Sequence, residues 1–136
     1  MLDAKENLFK QLRSIDMANA KEELIAILDR IRRIEGNASI SIKCARIKRD
    51  EGYWDDHNNY TTKADILLKE GHSSEEYKSF LDALNFEYDS GYGMQELSGT
   101  VWLTKENTWL SRGEYDGSEW WEYNECPEIP EGLKAS

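Results

Sequence analysis

Few residues in this chain have the types and spacing that chemistry demands. Glu114 and Glu119 flank Asp116-Gly117, and two facing carboxylates can divide glycoside hydrolysis between an acid and a nucleophile. A hairpin tip desolvates an acid poorly, so chance adjacency in an acidic chain is the plainer reading. Asp55, Asp56 and His57 offer ligands for a divalent metal, but their spacing is not that of a calcium loop and no second histidine is near. A solvated loop accounts for them. His72 precedes a helix-start signal and suits a turn. Cys44 and Cys126 are far apart and fit neither a zinc ribbon nor a disulfide framework. No nucleophile elbow, P-loop, dinucleotide fingerprint or H-E-x-x-H occurs. The expectation is therefore a non-enzymatic protein with no catalytic residue, no metal and no cofactor.

Charge and tryptophan are the informative features. Of 136 residues, the first 48 carry ten Lys/Arg against seven Asp/Glu, and the remainder seven against twenty, which makes the whole chain −10. All five tryptophans (Trp54, Trp102, Trp109, Trp120 and Trp121) lie in the acidic part. Such a chain repels phosphate, so direct nucleic-acid binding and attachment to an anionic membrane are not expected, whereas basic protein surfaces would be attracted. No run of 18 apolar residues and no apolar leader is present, which points to a cytoplasmic protein.

The elements that position these residues follow from periodicity. Residues 1–36 read as a helical pair. Leu8, Phe9, Leu12 and Ile15 form one apolar stripe, the phase shifts near Asp16 to Asn19, and Leu24, Ile27, Leu28, Ile31 and Ile34 form the next. Asn19 with Glu22 caps the second helix, arginines close it, and Gly36 suits its left-handed end. Its stripe is also the candidate surface for a homo-oligomer. From Ser39 the period is two, with Ile40, Ile42 and Cys44 on one side of a strand. A second apolar run at Ala64 to Leu68 pairs with it around a long polar loop. Ser73 and Glu76 form a capping box for a helix with Tyr77, Phe80, Leu81 and Leu84 on one face. Strands near 97–104, 108–115 and 119–124 complete a three-stranded meander. The fold class is α+β: an N-terminal helical pair, an antiparallel or mixed sheet, and one additional packing helix. Residues 1–36 and the acidic, tryptophan-rich 37–136 would share one compact domain.

Asp116-Gly117 is a strong type I′ hairpin signal, and it fixes the register. Arg112 then faces Trp121, Gly113 faces Trp120, and Glu114 faces Glu119. One face carries Leu110, Arg112, Glu114, Glu119, Trp121 and Tyr123; the other carries Trp109, Gly113, Tyr115, Trp120 and Glu122. With Glu106-Asn107 as the preceding turn, Val101 and Leu103 join the first face and Trp102 and Thr104 the second. The first looks like the core side, with Arg112 stacked on Trp121. Either the N-terminal helices cover one face and the helix after Ser73 the other, or the Trp102/Trp109/Trp120 face is open to a partner. In the second case Tyr115, Glu114, Glu119 and Glu122 border the binding surface.

The segments Gly99 to Leu103, Thr108 to Tyr123 and Pro127 to Pro130, 25 residues in all, resemble small uncharacterised proteins of tailed phages and prophages. The stretch from Trp109 to Tyr123 is the most specific part. The group brings no activity and no functional residue with it; what it implies is a phage or prophage setting in a bacterial cytoplasm, where small accessory proteins bind and block host proteins. The reading favoured is binding of a protein with a basic surface, in one version by carboxylates standing in for DNA phosphates. An oligomeric structural or assembly protein is the alternative, and an enzyme without a recognisable motif the third.

Overall fold

The structure, a computed structural model, describes residues 17–51, 61–89, 95–115 and 118–135. The first predicted helix, the Asp55 to His57 loop and the Asp116-Gly117 turn itself lie outside them. In chain order the elements are β1 (Met17–Asn19), α1 (Ala20–Glu35), β2 (Ile42–Glu51), β3 (Thr61–Leu68), α2 (Ser74–Ala83), β4 (Glu87–Asp89), β5 (Leu97–Leu103), β6 (Thr108–Tyr115), β7 (Ser118–Glu125) and a 3-10 turn, Glu131–Leu133. The protein is α+β. A five-stranded antiparallel sheet has the order β3-β2-β5-β6-β7, and β1 pairs with β4 in a separate two-stranded ribbon.

The two helices form where their caps place them. Asn19 accepts from the Glu22 amide at 3.0 Å, Glu22 and Glu23 sit in the positive first turn, and Gly36 ends α1 at φ 63°. Arg32 does more than complement the helix end, because its Nε donates to the Ile40 carbonyl at 2.6 Å and thereby sets the entry into the sheet. Ser73 and Glu76 close a reciprocal capping box on α2. The start of α1 is tied to the end of α2 by Ala20 N–H to Phe86 C=O (3.0 Å) and Lys21 N–H to Leu84 C=O (2.9 Å).

One core unites all of this. Leu24, Leu28 and Ile31 of α1 and Phe80 of α2 bury against Ala45, Ile47, Val101, Leu110 and Trp121 of the sheet. Removing a side chain such as Leu28 from such a site costs about 2–5 kcal/mol. Two expectations bear on this packing. The described helices α1 and α2 do not cover opposite faces of the sheet; both lie on the same one. Most of the α1 stripe is buried within its own chain: Leu24, Leu28 and Ile31 lie in the core, Ile27 is half-buried against it, and Ile34 is 67% exposed.

Strand β2 corrects a third expectation. Its pairing with β5 shifts between Ile42↔Leu103 and Cys44↔Trp102, so Lys43 is an extra residue in a bulge. Ile40 and Ile42 point inward before it, Ala45 and Ile47 after it. Cys44 is thereby moved to the outer face beside Trp102.

Candidate functional site

The hairpin register is as the sequence predicts: Tyr115↔Ser118, Glu114↔Glu119, Gly113↔Trp120, Arg112↔Trp121 and Leu110↔Tyr123. Alternation then separates the two faces. Leu110, Trp121, Val101 and Leu103 go inward. Outward go Trp102, Trp109 and Trp120, which occupy β5, β6 and β7, with Trp102 directly opposite Trp109. Trp102 is 45% exposed and Trp120 38%, while Trp109 is half-buried between its neighbours. Around the Trp102/Trp109 end runs an open groove of about 450 Å³, lined among others by Lys43, Thr104, Asn107 and Cys126. Tyr115, 77% exposed, stands at the far end of the same face.

Trp120 has a particular seat. Gly113, opposite it, has no side chain, and a Cβ there would lie 2.5 Å from Trp120 Nε1, 2.7 Å from its Cε2 and 2.6 Å from Glu122 Oε1. The indole and the carboxylate together occupy the volume above the glycine, an aromatic cover for a weak strand position. Trp120 Nε1–H donates to Glu122 Oε1 at 3.1 Å. The donor of the indole is therefore engaged, while the residue stays 38% exposed.

The outer face is not purely acidic. Beyond Trp102 lies β2, which brings Lys43 and Arg46. Arg46 clamps Asp65 through two bonds of 3.1 and 2.9 Å, which holds the Asp65 carboxyl below its usual range, and Lys43 pairs with Glu70 at 3.0 Å. Glu122 stands apart from these pairs: among the described residues its carboxylate meets no base and accepts from the Trp120 indole.

Glu119 and Glu114 do not join the tryptophans. Both belong to the inward row; Glu114 is exposed near the hairpin end, while Glu119 is 5% exposed. Glu119 Oε1 accepts from Arg112 Nη2 at 2.6 Å and from the Leu97 amide at 3.0 Å, and Oε2 accepts from the Glu96 amide at 2.8 Å. With both oxygens committed in this way, the pair is not an acid–nucleophile arrangement. Arg112 in turn reaches Glu23 at 2.7 Å and Tyr88 Oη at 3.1 Å, and its guanidinium lies 4.8 Å from the Trp121 ring. Tyr88 Oη–H donates to Glu23 at 2.5 Å, and burial, then this bond, push its hydroxyl well above the usual tyrosine range. This network locks α1, β4 and the meander together beneath the tryptophan face. The expected cation–π pair is present, and Glu119, Glu23 and Tyr88 build around it a buried charge cluster that alternation alone does not indicate.

His72 serves its turn, with Nδ1 2.9 Å from the Lys69 carbonyl and its ring stacked on Tyr77. No helix among the described residues is long and apolar enough to cross a membrane. Compared with known proteins, the chain matches no family model, no curated protein and no solved structure.

Proposed function

We propose that this is a non-enzymatic binding protein whose working surface is the outer face of the sheet, centred on Trp102, Trp109 and Trp120. The observation that carries this reading is the one-sided packing: both described helices bury against the inner face, while three tryptophans stand on the other. Tryptophan and tyrosine dominate interface energetics because they bring large rigid surface at low entropic cost, and exposed aromatic surface on one sheet face marks a contact site. The net charge of −10 favours a partner with a basic surface. The C-terminal resemblance supports a phage or prophage setting in a bacterial cytoplasm, with a host protein as the partner that is blocked.

The carboxylates favour aromatic contact over wholesale imitation of DNA. Several are tied to bases of the same chain: Asp65 to Arg46, Glu70 to Lys43, Glu125 to Lys105, Glu119 to Arg112 and Glu131 to Lys134. Charge thus acts locally, as the complement of particular partner groups.

The test is affinity capture from bacterial lysate with the full chain and with a folded Trp102→Ala/Trp109→Ala/Trp120→Ala variant, at low and high salt. A protein retained only by the wild type, and more weakly at high salt, is the expected result. Equal retention by both, or none by either, overturns the reading. Sedimentation velocity on the same two proteins identifies self-association through this face, should the wild type alone gain mass with concentration.

A further inference from the structure

We infer that the Trp120–Glu122 pair is a receptor for a guanidinium group, an arginine side chain of the partner. The inference rests on the proposal that the outer face binds a protein, and it names the chemistry recognised there.

The two faces of β7 carry the same constellation. On the inner side Trp121 and Glu119, two residues apart, hold the guanidinium of Arg112, which lies 4.8 Å from the indole ring and donates to the carboxylate at 2.6 Å. On the outer side Trp120 and Glu122, also two residues apart, form the same aromatic–carboxylate couple. The cross-strand residue is where they differ: Arg112 faces Trp121, and Gly113 faces Trp120. The inner couple receives its cation from its own chain. The outer couple has a glycine opposite, and among the described residues no cation lies over its ring, so the place that Arg112 takes on the inner side is open to a cation of the partner.

The local chemistry favours a planar cation. Glu122 Oε1 accepts the indole N–H at 3.1 Å, which fixes the carboxylate beside the ring, and Oε2 has no hydrogen bond among the described residues. A carboxylate accepting from Nε1–H also polarises the indole toward a more electron-rich ring, which strengthens its attraction for a cation. Guanidinium can stack flat on that ring and donate to Oε2 with the same group, whereas an ammonium is a strongly hydrated point charge that does one or the other. Arg46 and Lys43 of this face do not compete for the position, since they belong to β2, three strands from β7, and are paired with Asp65 and Glu70.

The experiment is an NMR titration of the full-length ¹⁵N-labelled protein with N-acetyl-arginine amide, following the indole Nε1–H resonances. N-acetyl-citrulline amide and N-acetyl-lysine amide serve as neutral and ammonium controls. Saturable shifts at Trp120 with the arginine probe, absent with citrulline and at least about threefold weaker with lysine, are expected, and Glu122→Gln should weaken arginine binding by about threefold or more. Equal shifts with citrulline, shifts confined to other tryptophans, or no shift at all overturn the inference. The two proposals fail separately. If the triple tryptophan variant loses a captured protein while Glu122→Gln keeps it and the probe gives nothing, the guanidinium receptor falls and the binding face stands. If the triple variant captures as the wild type does, the binding face falls.

Discussion

Gly113 and Trp120 are coupled through volume: the indole of one fills the space that any side chain on the other would need. The atoms a new Cβ would meet are the outer ends of Trp120 and Glu122, which can rotate away, so Gly113→Ala should change stability by no more than about 1 kcal/mol. It should nonetheless break the Trp120–Glu122 hydrogen bond and lift the indole off the sheet. The indole Nε1–H resonance of Trp120 moving upfield with an unchanged urea midpoint would show this. An unmoved resonance would mean that the seat tolerates a methyl group.

Arg112 and Glu119 predict the opposite balance. Their side chains are 2% and 0% exposed, so Arg112→Met leaves a carboxylate buried without its cation and should cost about 3–5 kcal/mol in urea unfolding. Arg112→Met/Glu119→Gln should recover part of that loss, because the second change removes the stranded charge. Equal or greater destabilisation in the double variant would show that the amides of Glu96 and Leu97, rather than Arg112, are what Glu119 chiefly serves.

Alkaline pH should unfold the protein earlier than its acidic composition suggests. Tyr88 is held above the usual tyrosine range by burial and by Glu23, Tyr77 and Tyr123 are raised chiefly by burial, and Lys105 is raised by Glu125 and then Glu35. A raised folded value means stability that is complete below the unfolded value, about 10 for tyrosine, and lost as pH rises from there toward the folded value. Urea midpoints should therefore hold between pH 8 and 9 and fall above about 10. Tyr88→Phe should be weaker at pH 8 and show a shallower fall; an equally steep one would assign the effect to the other groups.

The two thiols should react at different rates. Cys126 is exposed, whereas Cys44 is half-buried beside Trp102, and burial followed by Glu70 pushes its thiol up. A thiol reagent at pH 8 should label Cys126 first and Cys44 in a slower phase. A partner seated on the tryptophan face should suppress the slow phase further.

The hairpin was legible in the sequence because Asp116-Gly117 and strict alternation act together: a turn type fixes the register, and the register fixes both faces. Asn19, Gly36 and Ser73 were legible for a similar reason, since a cap is a local hydrogen bond that needs no tertiary context. The bulge at Lys43 was not, because inserting one residue into a ladder leaves no mark on composition. The short pairing of β1 with β4 was hidden as well; three residues are too few to show a period. Most instructive is Glu119. At an inward position it breaks the hydrophobic pattern, and only Arg112, Leu97 and Glu96 arriving from elsewhere make its burial affordable. The same blindness concealed the shared side of α1 and α2, since an amphipathic stripe says that a face is covered but not which sheet face covers it.

Alternation along β6 and β7 has a consequence for how this protein can diversify. Residues that set the core and residues that meet the outside are interleaved, so Trp102, Trp109, Trp120 and Glu122 can be exchanged one by one while Leu110, Trp121 and Arg112 keep the scaffold intact. A one-residue slip of β7 does the reverse, turning Trp120 and Glu122 inward and bringing Trp121 and Glu119 to the surface at one stroke. The surface is thus open to gradual retargeting by substitution, whereas a change of length in β7 must be taken up in a bulge, as Lys43 is in β2, to leave it intact.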